Sequence, residues 1–426
     1  MKKRALVMLG KTIKNLASLW GGGSALPGLI VEKVDPQFVS RTLSTLPKGV
    51  VLVSGTNGKT TTTKIITTLL ESQGLRVFTN PTGSNFTRGI AAALLGKVDR
   101  HGFLDADIAV VELDEAHATH FVRTVKPRYS VLLNVMRDQL DRFGEIDKTA
   151  ELLRTVAQRT TDGVIINRDD PRLNSYEFTR HIVAPVYRYG VSAALLSTFP
   201  SDDTMRHSSI AENKPRTYEN DVILESINGQ RALISYDGDS HSVELRLKGV
   251  YNIVNAVSAI TVVRTLMGPA LNESVMFKSL TVVEPAFGRG ESIQIGKDTC
   301  ELVLVKNPAG FRLSLQSFSH EGCATMIAIN DDHADGRDMS WLWDVDFEQL
   351  KQPGVTIVSG VRAYDMALRL QYDDINVGSI IPPTDSALNA FLAETKGTHK
   401  RIFCSYTAMI AIRKRLAKYA PVEDIR

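Results

Sequence analysis

Cysteine is scarce in this 426-residue chain: Cys300, Cys323 and Cys404 are the only three, and they stand far apart. Such a set excludes a disulfide scaffold and a four-cysteine zinc site, and it fits a reducing compartment. Zinc is therefore not expected. An excess of one charge is also missing. Lys plus Arg number 50 and Asp plus Glu 47, a net +3, so nucleic acid is not an expected partner. No unbroken run of 18 apolar residues is present, and no membrane-spanning helix is expected. The basic start, Met1 to Lys11, stops short of a signal-peptide core because Lys11 interrupts it. There is no repeat and no low-complexity tract. These absences together lead to the expectation of a soluble cytoplasmic protein.

What is present reads as an ordinary globular composition, 43% apolar and 23% charged. At roughly 150 residues per domain the length suits two or three domains. The expected division is an N-terminal segment (1–45), a central domain (46–285, with an insertion about 199–247) and a C-terminal domain (286–426). Residues 1–50 hold eight basic and two acidic side chains, a local +6. Leu6, Leu9, Ile13, Leu16 and Trp20 recur at helical spacing, with Lys11 and Lys14 opposite. A helix packed on the protein body is one reading. A basic amphipathic helix making peripheral contact with the inner face of a membrane is the other.

From residue 50, apolar strand-like runs alternate with helical stretches: Val50–Val53, Arg76–Thr79, Ile108–Glu112, Ser130–Val135 and Val164–Ile166. That alternation predicts an α/β fold with a mostly parallel sheet covered on both faces. Residues 199–220 are polar and aperiodic, the mark of a surface insertion. Hairpin signals follow at Asn228-Gly229 and Asp237-Gly238. A second αβ series, with strands at Glu301–Val305, Thr325–Ile329, Val355–Val358 and Arg401–Cys404, predicts a smaller Rossmann-like domain.

The strongest signal is Val51 to Thr63, V-L-V-S-G-T-N-G-K-T-T-T-T. A buried strand runs into a glycine turn, and Lys59 and Thr60 open a helix. Gly55 and Gly58 let backbone N–H groups curl around an anion, helped by the helix N-terminus. Gly55, Thr56, Asn57, Gly58, Lys59, Thr60 and Thr61 are thus the expected binding loop for ATP. Lys59, read as lying on an exposed turn, serves the phosphates, and the Thr60 hydroxyl serves Mg2+. The spacing is a shorter variant of the general phosphate loop, with Val53 where another glycine is usual. Glu112, ending its strand, is the expected second magnesium ligand. Asp114 and Glu115 read equally well as acids at a helix N-terminus. His117 and His120 share a helix face but lack a third metal ligand.

These residues resemble the Mur ligases. The likeness rests on G-T-N-G-K-T, N-V-M-R-D-Q-L-D (Asn134–Asp141), N-R-D-D-P (Asn167–Pro171), L-K-G-V-Y-N-I-V-N-A (Leu247–Ala256) and G-R-G-E (Gly288–Glu291). Within that family the chain is most similar to the branch of MurT ligase subunits. That branch is marked by T-G-S-N-F-T-R-G (Thr82–Gly89), K-N-P-A-G-F (Lys306–Phe311) and A-D-G-R-D-M-S-W-L-W-D (Ala334–Asp344). The resemblance implies a Mur ligase-like central domain and ATP-driven amide formation through an acyl phosphate. In the branch, the D-glutamate α-carboxyl of the peptidoglycan stem on lipid II is amidated to D-isoglutamine.

The resemblance also implies residue roles. Asn252 and Asn255 would lie near the adenine, although a helix cap and its neighbour is the plainer reading. Arg289 would reach the γ-phosphate. Ammonia would come from a class I glutaminase subunit (GatD-like) in a heterodimer, and Asp344, or else Asp338, would complete that partner's Cys–His pair. Gln139 stands where other Mur ligases carry a magnesium-binding histidine. The cysteine pairs of a zinc ribbon are missing between 190 and 250. A self-contained glutaminase is not expected, because Gly322-Cys323-Ala324 leads into an apolar strand and reads as a buried thiol. The competing functions are a stand-alone Mur-like amino-acid ligase, similar to folylpolyglutamate synthase, and a non-enzymatic ATP-sensing scaffold.

Overall fold

The computed structural model describes residues 26–80, 86–137, 146–199, 218, 220–246, 249–283, 289–317 and 322–420. The N-terminal basic helix therefore lies outside the described residues, as do Gln139 and most of the polar stretch 199–220.

The chain begins with helices α1 (Leu26–Val34) and α2 (Phe38–Leu43). The phosphate-loop strand is β1 (Val50–Ser54), followed by α3 (Lys59–Ser72), β2 (Val77–Thr79), α4 (Thr87–Lys97) and β3 (Ile108–Glu112). Then come α5 (Glu115–Phe121), β4 (Tyr129–Leu132), α6 (Ile146–Arg159), β5 (Gly163–Asn167), α7 (Tyr176–Thr179) and β6 (Val186–Val191). Strands β7 (Val222–Asn228), β8 (Arg231–Tyr236) and β9 (Asp239–Glu244) lead to α8 (Val250–Met267) and α9 (Glu273–Leu280).

These strands form one nine-stranded sheet in the order β2-β3-β1-β4-β5-β6-β7-β8-β9. It is parallel from β2 to β7 and antiparallel beyond. Successive side chains of a strand point to opposite faces. Val50 and Leu52 accordingly enter a core with α4, while Val51 and Val53 enter another with α3 and α8. Both faces are covered, which is why β1 is apolar from Val50 to Val53. The hairpins at Gly229 and Gly238 form as the turn signals predict, but β7 pairs with β6, so the segment expected as an insertion widens the main sheet. Helix α8 is also a correction to composition. It is long and apolar enough to cross a membrane, yet Ile253, Ala256, Val257, Ile260 and Val263 are buried in the core beside α3.

The second unit comprises β10 (Arg289–Ile295), β11 (Asp298–Leu304), α10 (Pro308–Ser317), β12 (Cys323–Ala328), β13 (Val355–Ser359), α11 (Ala363–Tyr372), β14 (Val377–Ile380), α12 (Thr384–Glu394), β15 (His399–Cys404) and α13 (Tyr406–Leu416). Its sheet runs β10-β11-β15-β12-β13-β14, parallel except for β10. Here too alternate residues feed two cores, Val303 and Ile327 on one face, Leu302 and Met326 on the other. The buried Arg401–Glu301 pair, at 2.7 Å, satisfies two charges between neighbouring strands. Strands β10 and β14 carry no clear apolar run; they form the two edges of this sheet, where burial is partial.

Candidate active site

The site lies where the order of the large sheet reverses. Strand β1 has β3 on one side and β4 on the other, and such a switch point leaves a crevice at the carboxyl ends of the strands. Gly55 (φ 130°) and Gly58 (φ 90°) take backbone conformations that L side chains rarely adopt. Space is limiting as well. A Cβ on Gly58 would meet the Asn255 Oδ1 at 2.4 Å, and one on Gly55 would meet the Leu133 and Asn134 backbone at 3.0 Å. The cradle expected of a phosphate loop is thus formed, with α3 starting at its end.

Lys59 is a correction. It is 5% exposed, not on an open turn. Its Nζ donates to the carbonyls of Gly55 (2.5 Å) and Thr56 (3.3 Å) and lies 3.9 Å from Glu115 Oε2. Glu115 is itself buried, while Asp114 caps α5 by accepting from Ala116 N–H. Of the two acids left open by the sequence, one therefore serves the helix and the other the lysine. Thr60 Oγ1 donates to Glu112 Oε1 at 3.1 Å, both groups buried. Asn80 grips the Glu112 backbone from both sides, at 3.0 and 3.1 Å. A hydroxyl and a carboxylate held together in this way form a hard-oxygen donor set suited to Mg2+, which needs only one or two carboxylates beside substrate phosphates and water. Among the described residues no cluster of three His, Cys, Asp or Glu is placed to hold a metal.

Asn134, which opens N-V-M-R-D-Q-L-D, staples the loop. Its Oδ1 accepts from Asn57 N–H at 2.8 Å, and its amide donates to Asn57 O at 3.0 Å. Thr56 and Met136 exchange two further bonds. Asn57 also reaches into the second unit. Asn307 donates to Asn57 Oδ1 at 2.9 Å and accepts from Asn57 Nδ2 at 3.4 Å. Asn307 is fully buried, and its Oδ1 also accepts Gly310 N–H in the first turn of α10. One residue thus caps a helix and ties the two sheets' carboxyl ends together. A cleft at this junction is lined by Asn57, Gly58, Asn134, Asn167, Asn255 and Lys306, among others. Asn252 and Asn255 sit in the first two turns of α8, buried, and Gly249 rather than either asparagine is the cap. Arg289 opens β10 opposite Val303; its side chain lies outside the described residues.

Two carboxylates at the end of β5 border the cleft. Burial pushes both Asp169 and Asp170 up to about 6, against the opposing pull of backbone N–H donors. Asp170 accepts from Val135, Arg172 and Leu173, and so positions the strand-end that carries Asn134.

The acidic loop after β12 separates its members. Asp335 is buried and holds Thr407. Asp338 turns onto Ser340, whose hydroxyl first and whose N–H (at 2.9 Å) second hold its carboxyl below the ordinary range. Asp344 is half-exposed, and Arg137 of the first unit pairs with it at 3.0 Å. Trp341 is buried, whereas Trp343 is 47% exposed and packs its ring against Tyr372, centroids 5.1 Å apart. Cys323 is buried as expected, and desolvation raises its thiol.

Asn134, Asn307 and Glu115 are site residues that pattern reading did not assign, and Arg137, outside the phosphate site, is the partner of Asp344. Asn134, Arg137 and Asn307 stand in motifs quoted above, which was the available signal; Glu115 had none that separated it from Asp114.

Comparison with known proteins defines the class. Residues 53–263 match the Mur ligase middle domain and residues 304–409 the MurT ligase C-terminal domain. The fold matches MurF ligase from Thermotoga maritima, solved in complex with ADP, at a TM-score of 0.67 and 17% identity, over 91% of this chain and 85% of that one. This is a Mur ligase fold. Among its relatives is the MurT subunit of lipid II isoglutaminyl synthase (glutamine-hydrolyzing) from Streptococcus pneumoniae, 30% identical and covering 96% of both chains. The corresponding subunit from Staphylococcus aureus is 30% identical, covering 89% of this chain and 90% of its own. The chain belongs to the MurT family.

Proposed function

We propose that this chain is the ligase subunit of a glutamine-dependent lipid II isoglutaminyl synthase. The observation that carries the reading is likeness to MurT subunits along nearly the whole chain, joined to a formed phosphate loop with Thr60 and Glu112 in contact. ATP would lie on Gly55 to Thr61, with its adenine toward Asn252 and Asn255 and with Arg289 approaching the γ-phosphate. Thr60 and Glu112 would hold Mg2+, which when bound neutralises phosphate charge. The substrate carboxylate, the D-glutamate α-carboxyl of a lipid-linked stem peptide, attacks the γ-phosphorus; the bond to the β,γ-bridging oxygen breaks, ADP leaves and an acyl phosphate remains. Lys59 offsets the charge that develops. Ammonia then attacks the acyl carbon, phosphate leaves, and a proton is lost to give the amide.

Ammonia would come from a partner glutaminase of the GatD type. Asp344 would orient the partner's histidine as the acid of a triad does. The exposed apolar stripe of Val361, Tyr364, Leu368 and Tyr372 beside Trp343 supports a docked partner at this corner.

The test is amidation of lipid II by the purified chain with and without the glutaminase. The chain alone should use ammonium and not glutamine; the pair should use both. Asp344→Asn should cut glutamine-dependent amidation by orders of magnitude, since a comparable triad change costs about 10⁴ in kcat, and spare the ammonium reaction. Loss of both would place Asp344 in the ligase site; loss of neither would turn attention to Asp338. Transfer of an amino acid without any partner would favour the stand-alone ligase instead.

A further inference from the structure

We propose that Arg137 carries the state of the phosphate loop to Asp344, so that glutamine hydrolysis in the partner is coupled to nucleotide binding. This rests on the reading of Asp344 as the acid of the partner's triad. The segment 133–137 is fastened to the loop as well as to Asp170 and Tyr189, which hold Val135 and Leu133. Leu133 N–H donates to Ser54 O at 3.0 Å, and Thr56 N–H donates to Asn134 O at 3.1 Å. Asn134 and Asn57 exchange side-chain bonds, and Met136 N–H donates to the Thr56 hydroxyl at 3.1 Å. Arg137 is the next residue. Its guanidinium crosses to the second unit and donates to Asp344 Oδ2 at 3.0 Å. Arg312 holds the Asp344 carbonyl from the other side. The turn that presents Asp344 is therefore gripped by one arginine from each unit.

The loop has a reason to change when phosphate arrives. Lys59 Nζ now donates to the Gly55 and Thr56 carbonyls. An anion in the cradle competes for that ammonium, and Thr56 is the residue whose hydroxyl holds Met136. A shift at Thr56 reaches Arg137 through Met136, whose N–H holds the Thr56 hydroxyl and whose neighbour in the chain is Arg137. At the other end, Asp344 Oδ2 faces two claims. While Arg137 holds it, the oxygen is a poorer acceptor for an imidazole N–H. Release favours the partner's histidine. Arg137 is then a positioning residue acting through Asp344, and the empty loop keeps the glutaminase slow. Glutamine would not be spent when no nucleotide is present to activate the acceptor.

The pair is half-exposed on the Asp344 side, so its influence on rate should be modest, roughly two- to fivefold, the range open to a partly exposed ion pair. In the complex of full-length chains, without lipid substrate, glutamine hydrolysis should rise by that factor when a non-hydrolysable ATP analogue and Mg2+ are added. Arg137→Ala should hydrolyse glutamine at the stimulated rate whether or not nucleotide is present, and Arg137→Lys should recover part of the response. Ammonium-dependent amidation and thermal midpoint should stay at wild-type values in Arg137→Ala. A second readout does not depend on turnover. Adding the analogue to the full-length ligase chain alone should speed amide exchange in residues 340–344, and Arg137→Ala should abolish that change. A wild-type complex indifferent to nucleotide, a full response surviving in Arg137→Ala, or a fall of that variant to the Asp344→Asn rate would each overturn the proposal. Failure of the underlying reading shows differently: Asp344→Asn would then hydrolyse glutamine normally.

Discussion

Lys59 carries its charge into the protein interior, and this sets what its loss should do. The ammonium serves two loop carbonyls and faces the buried Glu115. Lys59→Ala should abolish ATP hydrolysis and amidation. It should also destabilise the fold by about 1–3 kcal/mol, because a buried carboxylate and two carbonyls lose a partner; a surface lysine would cost only a few tenths. Denaturant midpoints of variant and wild type decide between these. The thiols give a second prediction at this scale. Burial pushes Cys300 up to about 12 and raises Cys323 and Cys404 as well. The thiolate is the reactive form, so none of the three should react with a thiol reagent at pH 8 in the native protein, and all three should react in denaturant. A fast native thiol would contradict the packing of β11, β12 and β15.

At the scale of elements, the junction of the two units depends on Asn307. Its oxygen caps α10 while its amide reaches Asn57. Asn307→Asp keeps a good capping oxygen but removes the donor to Asn57 and sets a carboxylate beside the phosphate loop. The expected outcome is a folded protein whose nucleotide affinity falls about tenfold, the size of one lost buried hydrogen bond; calorimetric titration with an ATP analogue measures it. Unchanged affinity would mean that the junction does not form when nucleotide binds. The element boundaries that were readable in advance belong to β1, α3 and β3. These are long apolar or helical runs punctuated by glycine, so local pattern and tertiary position agree. β14 (Val377–Ile380) and β10 were not readable, because a strand at a sheet edge has a neighbour on one side only and needs no continuous apolar run.

For the whole molecule, the paired carboxylates at the end of β5 predict how stability responds to pH. Asp169 and Asp170 hold their protons up to about 6 in the fold, against about 3.9 in an unfolded chain. Between these values the native state binds more protons than the unfolded one. The contribution of these groups to stability is therefore full below about pH 4 and is lost as pH rises through 6. Asp169→Asn keeps an acceptor for Val191 N–H, which bonds Asp169 Oδ2 at 2.7 Å, and removes one titrating group. Relative to wild type, the variant should gain stability steadily from pH 4 to 6.5 in denaturant titrations. A constant difference across that window would show that the carboxylate is not desolvated.

The sequence by itself determined the phosphate loop, the residues Thr60 and Glu112 beside it and the parallel core, because each is written in neighbouring residues: a buried strand, glycines at tight turns, a helix behind them, a carboxylate at a strand end. Tertiary structure alone decided the partnerships. Asn134 lies 77 residues from Asn57, Asn307 lies 250 from it, and Asp344 lies 207 from Arg137. Local spacing carries no record of contacts made across such distances. Whether a polar side chain there is a solvated surface group or a buried strut depends on which strand ends the fold brings face to face. The same reason separates Glu115 from Asp114, adjacent acids that pattern could not rank. The turn of α5 sends one to cap the helix and the other under Lys59.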